Sequence, residues 1–215
     1  MLSTFINTFP YLAKGTINTI YLSAICLSLG LVIGILSGIL SVTTSRLLRS
    51  IIFIYIYFMR GIPLLVLLFL TYFTLPIFGI ELNAEIAAAA SISIYNGAFI
   101  SEIIRAAIIS LPIGQTDAAK SLGMTYWFYM RKVIIPQAFR YSIPPIVNIA
   151  LMCIKFTALV SIISVSELTY AGMEMAQVTL KPFHIYFQVA VIYFILCFAL
   201  SRLGLFLEKR LYYEH

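Results

Sequence analysis

Long apolar runs, separated by short polar connections, dominate this sequence and limit what it can fold into. The chain has 215 residues, of which 62% are hydrophobic and only 10% are charged, whereas a soluble domain carries roughly 25% charged residues. Because these few charges cannot cover a water-facing surface, most of the surface must face lipid. We therefore expect an all-α integral membrane protein with a single domain.

Five runs have the length of a membrane-crossing helix, which needs about 20 mainly apolar residues. They lie at residues 16–41, 51–75, 84–109, 141–165 and 185–207, within a membrane domain covering residues 16–208. The first run is too long for the apolar core of a cleavable signal, so we expect it to be retained.

Arg60-Gly61-Ile62-Pro63 interrupts the second run. Either the helix is kinked there, or residues 46–60 lie along the membrane interface and residues 61–78 cross. The second arrangement leaves a crossing helix of about 27 Å, which is just adequate. We favour a kinked or broken helix.

The basic residues fall mainly on alternate connections between the runs. One side carries Arg46, Arg49, Arg105, Lys120, Arg131, Lys132, Arg140, Arg202, Lys209 and Arg210. The other side carries only Lys14 and Lys181. Since the positive side of a membrane protein is cytoplasmic, we expect an N-terminus outside, a C-terminus in the cytosol and a multi-pass topology.

The residues that usually bind metals or nucleic acids are few or scattered. The three cysteines, Cys26, Cys153 and Cys197, lie inside apolar runs without metal or redox spacing, so we interpret them as small buried hydrophobes. The histidines are only His184 and His215. The net charge of +6 comes from basic residues at segment ends, which is typical of membrane orientation. We therefore expect no metal site, no cofactor and no nucleic-acid partner.

A polar insert, residues 111–136, separates the third and fourth runs and is expected in the cytosol. Thr116 and Asp117 favour a helix start, and Gly123 favours a helix end. A second short helix is expected over residues 125–133, with Pro136 preventing its easy continuation. Small side chains allow close backbone approach to another protein, so the insert can fit a cleft; the alternative is a hairpin that packs only on its own spans.

The spacing within the insert resembles the EAA loop of permease subunits of bacterial ABC importers. Asp117-Ala118-Ala119 is followed after three residues by Gly123, and after nine more by Val133, one spacer and Ile135-Pro136. The resemblance implies a type I ABC importer transmembrane fold, whose cytosolic coupling loop (residues 111–140) contacts a separate ATPase. The coupling residues that it implies are Gly114, Asp117, Ala118, Ala119, Leu122, Gly123 and Pro136.

Further stretches are similar to the polar amino acid permeases of the histidine/glutamine/arginine group. They are Arg60 to Leu65, Ala98 to Arg105, Ile113-Gly114-Gln115, Lys155 to Ser161 and Val165 to Leu168. Two positions depart from the pattern: Ala106 replaces a usual glycine, and Phe156 replaces a usual polar residue. If that second position lines the substrate cavity, the substrate preference differs from that of better-known members.

This resemblance implies a set of partners and a location. The expected assembly contains a second permease, identical or sister, and an ATPase dimer that holds ATP and Mg²⁺. An extracytoplasmic solute-binding protein delivers a polar L-amino acid, which crosses the bacterial inner membrane by alternating access. The sequence leaves the amino acid open, as well as the choice between homodimer and heterodimer.

Polar residues inside the runs are candidates for a substrate path or gate, because intramembrane charges usually face a bundle interior or a wet cavity. Lys155 could instead pair with a carboxylate such as Glu167, or extend its ammonium to the interface. Glu102 and Arg105 share one helix face and could form a plain interfacial ion pair. The full candidate set is Arg60, Asn96, Glu102, Arg105, Lys155, Thr157 and Glu167.

Other functions find less support in the sequence. A membrane enzyme would need clustered acids, histidines or an activated nucleophile. The chain contains no GxSxG, HExxH or Walker A motif, so it is not expected to be an enzyme or to hydrolyse ATP itself. A secondary transporter or channel usually shows duplicated halves or a filter sequence, and neither is present. An ABC permease for another small solute, opine-, cystine- or peptide-like, stays the alternative.

Overall fold

The structure is a computed structural model that describes residues 2–42 and 45–212, with side chains described for residues 8–42 and 45–210. Within these ranges the elements are all helical. In chain order the α-helices are α1 (Leu2–Leu40), α2 (Arg46–Gly61), α3 (Leu64–Phe69), α4 (Ala84–Ile109), α5 (Ile113–Ser121), α6 (Tyr126–Tyr129), α7 (Ile135–Phe156), α8 (Leu168–Thr179) and α9 (Pro182–Tyr212). Short π-helical segments (Leu70–Thr74, Met130–Ile134) and 3₁₀ segments (Leu75–Phe78, Thr157–Ile163) extend some of them.

Four continuous helical segments in the described residues are long and apolar enough to cross a membrane. They are Thr8–Leu40, Ala84–Ile109, Tyr126–Ile163 and Pro182–Arg210. A fifth results if the bent pair Arg46–Gly61 and Leu64–Phe78 counts as one span. The all-helical membrane fold with about five apolar helices is therefore confirmed, although the helices extend beyond the apolar runs at several ends.

Helix α4 is the central element and packs mainly against α1. Gly30, Gly34 and Gly38 of α1 recur every four residues and so share one helix face. A Cβ atom on Gly34 would lie 2.5 Å from the Cβ atom of Ile100, and one on Gly38 would lie 2.7 Å from that of Ile104. Larger side chains would force the two helices apart, so these glycines allow α1 and α4 to pack closely, as small residues do between membrane helices.

The second run is broken between α2 and α3, where the two arms meet at 105°. Ile62 and Pro63 have extended backbones at this point. Proline cannot donate a backbone hydrogen bond and disfavours a helical residue before it, so α2 ends here and α3 starts with Pro63 as its cap. The expected kink or break is present, and its angle means that the two arms cannot both stand along the membrane normal.

Helix α8 lies in a connection where the sequence indicates no helix. It follows Ser164, whose backbone is left-handed (φ 63°), and it packs between α1 and α9. Leu12, Leu168 and Val189 form the small buried core of this region. Twelve residues with polar positions give no span-length apolar signal, so this helix is visible only through its packing.

Candidate functional site

The polar insert folds into a helical hairpin whose first arm is α5. The expected start at Thr116-Asp117 is wrong, because α5 already begins at Ile113 after the extended Pro112. The Pro112 carbonyl accepts a hydrogen bond from the Gln115 amide at 3.0 Å, so the first turn of the helix forms without a side-chain cap. The helix ends at Ser121.

The turn after α5 depends on Gly123. Its φ is +74°, which side chains with a Cβ atom rarely adopt. The Met124 amide donates to the Ala119 carbonyl at 3.1 Å, and the Gly123 amide donates to the Lys120 carbonyl at 2.9 Å. This pattern satisfies the last carbonyls of α5 and reverses the chain, so the helix end expected at this glycine is present.

The second arm does not stop at Pro136, contrary to the sequence expectation. Helix α6 continues through the π-helical segment Met130–Ile134 into α7. The wider π spacing accommodates the proline, which sits in the first turn of α7. The Gln137 side-chain amide also donates to the Val133 carbonyl at 3.0 Å. The insert is therefore joined to the long span Tyr126–Ile163 by an unbroken helix.

The two faces of α5 differ sharply in exposure. Ala119 is buried, with 4% exposure, among Tyr129, Met130 and Ile134. Ala118 points the other way and is exposed. Of the small side chains that could allow close approach to a partner, Ala119 is therefore not available, because it packs against its own chain. The other predicted coupling residues, Gly114, Asp117, Ala118, Leu122, Gly123 and Pro136, are all exposed.

Large apolar side chains are also exposed on the insert. Ile113 and Leu122 are 78% and 76% exposed, and Trp127 is 60% exposed. Ile113 and Leu122 lie outside the candidate spans, and Trp127 lies in the first turn of the candidate span Tyr126–Ile163. Exposed apolar side chains on a polar segment are typical of a surface that another protein or the membrane covers.

A second feature, which we call the aromatic–cationic stripe, runs across α2, α4 and α7. Arg105 lies over the Phe53 ring at 5.9 Å, and Arg60 lies over the Phe99 ring at 5.6 Å. Tyr95 links Phe99 to Phe156, with ring centroids 5.1 and 5.7 Å apart. The members of the stripe are Phe53, Arg60, Tyr95, Phe99, Glu102, Arg105 and Phe156.

The stripe spans a substantial depth of the bundle. Helices α2 and α4 run antiparallel, since Phe53 meets Arg105 while Arg60 meets Phe99. Tyr95 and Arg105 are separated by ten residues of α4, or about 15 Å along the helix axis. Lys155, next to Phe156, is exposed farther along. Sequence reasoning identified the charges of the stripe and singled out Phe156, but it did not identify the other aromatic rings.

Glu102 and Arg105 form the ion pair that their spacing predicts. Arg105 donates through Nε to Glu102 Oε2 at 2.9 Å, and through Nη2 to Glu102 Oε1. Both side chains are partly exposed. Within the described part of the chain, neither Arg60 nor Lys155 has a carboxylate partner of this kind.

Three candidate path residues are buried rather than accessible. Asn96 is 1% exposed, whereas Thr157 and Glu167 are fully buried. The Thr157 hydroxyl donates to the Ile154 carbonyl at 2.7 Å. In this conformation none of the three can contact a solute.

Glu167 is held by neutral donors, so its suggested pairing with Lys155 is wrong. The Tyr193 hydroxyl donates to Glu167 at 2.7 Å, and the Tyr170 amide donates to it at 2.8 Å. Thr19 approaches the same carboxylate at 3.5 Å. The carboxylate caps α8, while Lys155 is exposed on α7.

The comparisons with known proteins agree with this architecture. Residues 30–213 match a family described as the binding-protein-dependent transport system inner membrane component. The chain belongs to this family. It is therefore an integral inner-membrane permease of the ABC importer type, and the alternative of a secondary transporter or channel is not favoured.

Relatives of this permease carry amino acid transport names. It is 38% identical to the probable amino-acid ABC transporter permease protein YckA of Bacillus subtilis over 210 residues, covering 98% of this chain and 92% of the relative. It is 38% identical to the L-cystine transport system permease protein TcyB of the same organism, covering 94% and 87%. It is 35% identical to the glutamine transport system permease protein GlnP of Escherichia coli, covering 94% and 93%.

Solved structures share the fold of the permease. A crystal structure of an amino acid ABC transporter with histidines has a TM-score of 0.92 at 33% identity and covers 98% of both chains. An inward-facing structure of the MetNI methionine ABC transporter has a TM-score of 0.81 at 20% identity and covers 94% and 96%; at that identity it supports the fold alone. Within the described residues of the permease, no group of three or more His, Cys, Asp or Glu side chains could hold a metal ion.

Proposed function

We propose that this chain is the membrane-spanning subunit of an ATP-driven importer for a polar L-amino acid. The family membership supports the transport mechanism. The names of the relatives, which include amino-acid, L-cystine and glutamine permeases, support the solute class. A permease for an opine or a peptide-like solute has no comparable support.

The observation that carries the proposal is the exposed apolar surface of the insert. Ile113, Leu122 and Trp127 are exposed on a hairpin that a continuous helix joins to the span Tyr126–Ile163. A cleft of an ATPase that covers these side chains would move the span whenever the cleft moves. ATP and Mg²⁺ belong to that ATPase dimer in this proposal, and the permease itself supplies no catalytic residue and binds no cofactor.

The complete transporter contains two permeases, identical or sister, above the two ATPases. The hairpin faces the cytosol, the N-terminus lies outside, and an extracytoplasmic solute-binding protein delivers the amino acid. ATP binding draws the two hairpins together and switches the spans between inward- and outward-facing states. The distribution of basic residues supports this orientation.

We place the substrate path along the aromatic–cationic stripe. Arg60 and Lys155 are exposed, and Glu102 and Arg105 are partly exposed, so these four side chains are accessible to a solute. Asn96, Thr157 and Glu167 are buried and are better explained as structural residues. A path through a membrane needs polar groups that water and solute reach, and the first set meets that requirement.

Leu122→Glu tests the coupling surface. A charge at this position would have to be buried without a partner in the ATPase cleft, so we expect at least a tenfold loss of ATPase co-purifying with the permease, together with loss of ATP-dependent uptake of labelled amino acids. The matched control is Val178→Glu, on α8, because Val178 is 76% exposed and lies on the opposite predicted side.

Normal ATPase association and uptake in the Leu122→Glu variant would rule out the coupling surface. If the unmodified transporter takes up no amino acid in the presence of ATP, the proposed solute class is wrong.

A further inference from the structure

The aromatic–cationic stripe contains more positive than negative side chains. Glu102 supplies the one carboxylate among the members of the stripe, and Arg105 donates two hydrogen bonds to it. Arg60 makes no hydrogen bond or ion pair within the described part of the chain, although Glu102 is near enough to interact with it electrostatically. Arg105 and Arg60 thus outnumber the carboxylate by two to one. The accessible surface of the stripe is therefore positive.

Arg60 is also oriented for binding. Its guanidinium lies 5.6 Å from the centre of the Phe99 ring, an attraction that acts through the ring face and uses no N–H donor. The five guanidinium N–H groups therefore stay available for a ligand. Gly61, which follows, has no atom within 4 Å of an added Cβ atom, so the main chain beside Arg60 is open.

We propose that Arg60, backed by Phe99, binds the carboxylate of the transported amino acid, and that the positive stripe excludes cationic amino acids. This inference rests on the proposed function and narrows its solute to amino acids with neutral or acidic side chains. Guanidinium groups bind carboxylates through paired hydrogen bonds of fixed geometry. Lysine or arginine as solute would bring an additional, side-chain cation close to Arg60.

Position within the bundle strengthens this discrimination. Arg60 contacts Phe99, which lies ten residues from the end of α4 at Ile109, or about 15 Å along the helix. Charges interact more strongly beside an apolar wall of this kind than in bulk water, because the effective dielectric constant is lower there. The aromatic rings of Tyr95, Phe99 and Phe156 offer apolar contact to an uncharged side chain, whereas a cationic side chain there would be repelled by the guanidinium of Arg60.

The test measures amino acid binding by the assembled complex of permeases and ATPase dimer, purified without the solute-binding protein. Equilibrium dialysis would use radiolabelled L-glutamine, L-cystine, L-glutamate, L-arginine and L-lysine. We expect glutamate and at least one neutral amino acid to bind at least about tenfold more tightly than arginine or lysine. Arg60→Gln should weaken their binding about tenfold and reduce the preference, whereas Arg60→Lys should retain part of both.

Two further variants complete the design. Arg202→Gln removes an arginine that is exposed on α9, which carries no residue of the stripe, so its binding should match the unmodified complex. Glu102→Gln leaves Arg105 without its carboxylate, so it should raise the ratio of glutamate to glutamine binding severalfold. This second variant removes a negative charge and so makes the net charge of the stripe more positive, whereas Arg60→Gln makes it less positive. It therefore tests the stripe even where Arg60→Gln fails to assemble.

Equal binding of arginine and glutamine, or unchanged binding in Arg60→Gln, would overturn the inference. So would an unchanged glutamate-to-glutamine ratio in Glu102→Gln. If the complex binds no amino acid, the carboxylate site is wrong, while ATP-dependent amino acid uptake by the complete transporter would still uphold the proposed function.

Discussion

Glu167 connects three helices through neutral hydrogen-bond donors. Its carboxylate caps α8 through the Tyr170 amide and accepts from the Tyr193 hydroxyl of α9. Thr19 of α1 approaches the same carboxylate, and its hydroxyl oxygen accepts a hydrogen bond from the Leu168 amide at 3.1 Å. Since the residue is fully buried, these contacts determine how α1, α8 and α9 fit together.

Glu167→Ala should destabilise the permease by about 2–3 kcal/mol, because it removes a helix cap and leaves buried donors without an acceptor. Glu167→Gln keeps one carbonyl acceptor and should lose less. Thermal unfolding of the detergent-purified permease measures both changes. Glu174→Ala is the matched control, because Glu174 is exposed on the same helix. If Glu167→Ala unfolds at the same temperature as that control, the network is not structural.

The sequence identifies Glu167 as unusual but does not identify its partners. A carboxylate inside an apolar stretch needs compensation, and a cation such as Lys155 is the obvious candidate. The actual donors are a threonine 148 residues earlier and a tyrosine 26 residues later. Hydroxyl groups are frequent in such sequences and carry no charge pattern, so only the packing of the helices selects them.

At the scale of the elements, the neighbouring alanines of α5 have opposite roles. Ala119 faces the core of the insert, whereas Ala118 faces outward. Ala119→Leu should overpack that core and destabilise the permease by about 1–3 kcal/mol. Ala118→Leu should change stability by less than about 0.5 kcal/mol but reduce ATPase association.

Thermal unfolding and co-purification of the ATPase, measured on both variants, separate the two effects. Because the substitution is identical and the positions are adjacent, each variant serves as the control for the other. Equal stability losses would mean that α5 is not oriented as described. Undiminished ATPase association in Ala118→Leu would mean that the outward face of α5 does not bind the ATPase.

Apolar run length predicts that the long helices exist, but it does not fix where they end. The length of an apolar run reflects how much of a helix contacts lipid. Helices α1 and α7 begin before their apolar runs, at Leu2 and Ile135. Pro136 is the clearest case. A proline predicts a helix stop, yet the π-helical segment before it and the Gln137 side chain accommodate it. Hydrogen bonds of this kind depend on local geometry that residue type alone does not specify.

At the scale of the whole molecule, the proposed substrate path combines helices that are distant in the sequence. Arg60, Glu102 and Lys155 belong to α2, α4 and α7. Each stands out in the sequence as a charge within an apolar run. Apart from Phe156, the rings between them do not, since aromatic residues are frequent throughout this chain. The α1–α4 contact at Gly34 and Gly38 sets the position of α4, and so the packing arranges the stripe.

The proposed orientation of the molecule in the membrane rests on its basic residues and can be measured directly. Single cysteines at Ser121, on α5, and at Val178, on α8, would report the two sides, because both positions are exposed. A Cys197→Ala background removes the more accessible native thiol, while Cys26 and Cys153 are fully buried. With a membrane-impermeant maleimide and right-side-out vesicles, we expect Val178→Cys to be labelled at once and Ser121→Cys only after detergent is added. The opposite pattern would place the insert outside, where no ATP-driven partner could reach it.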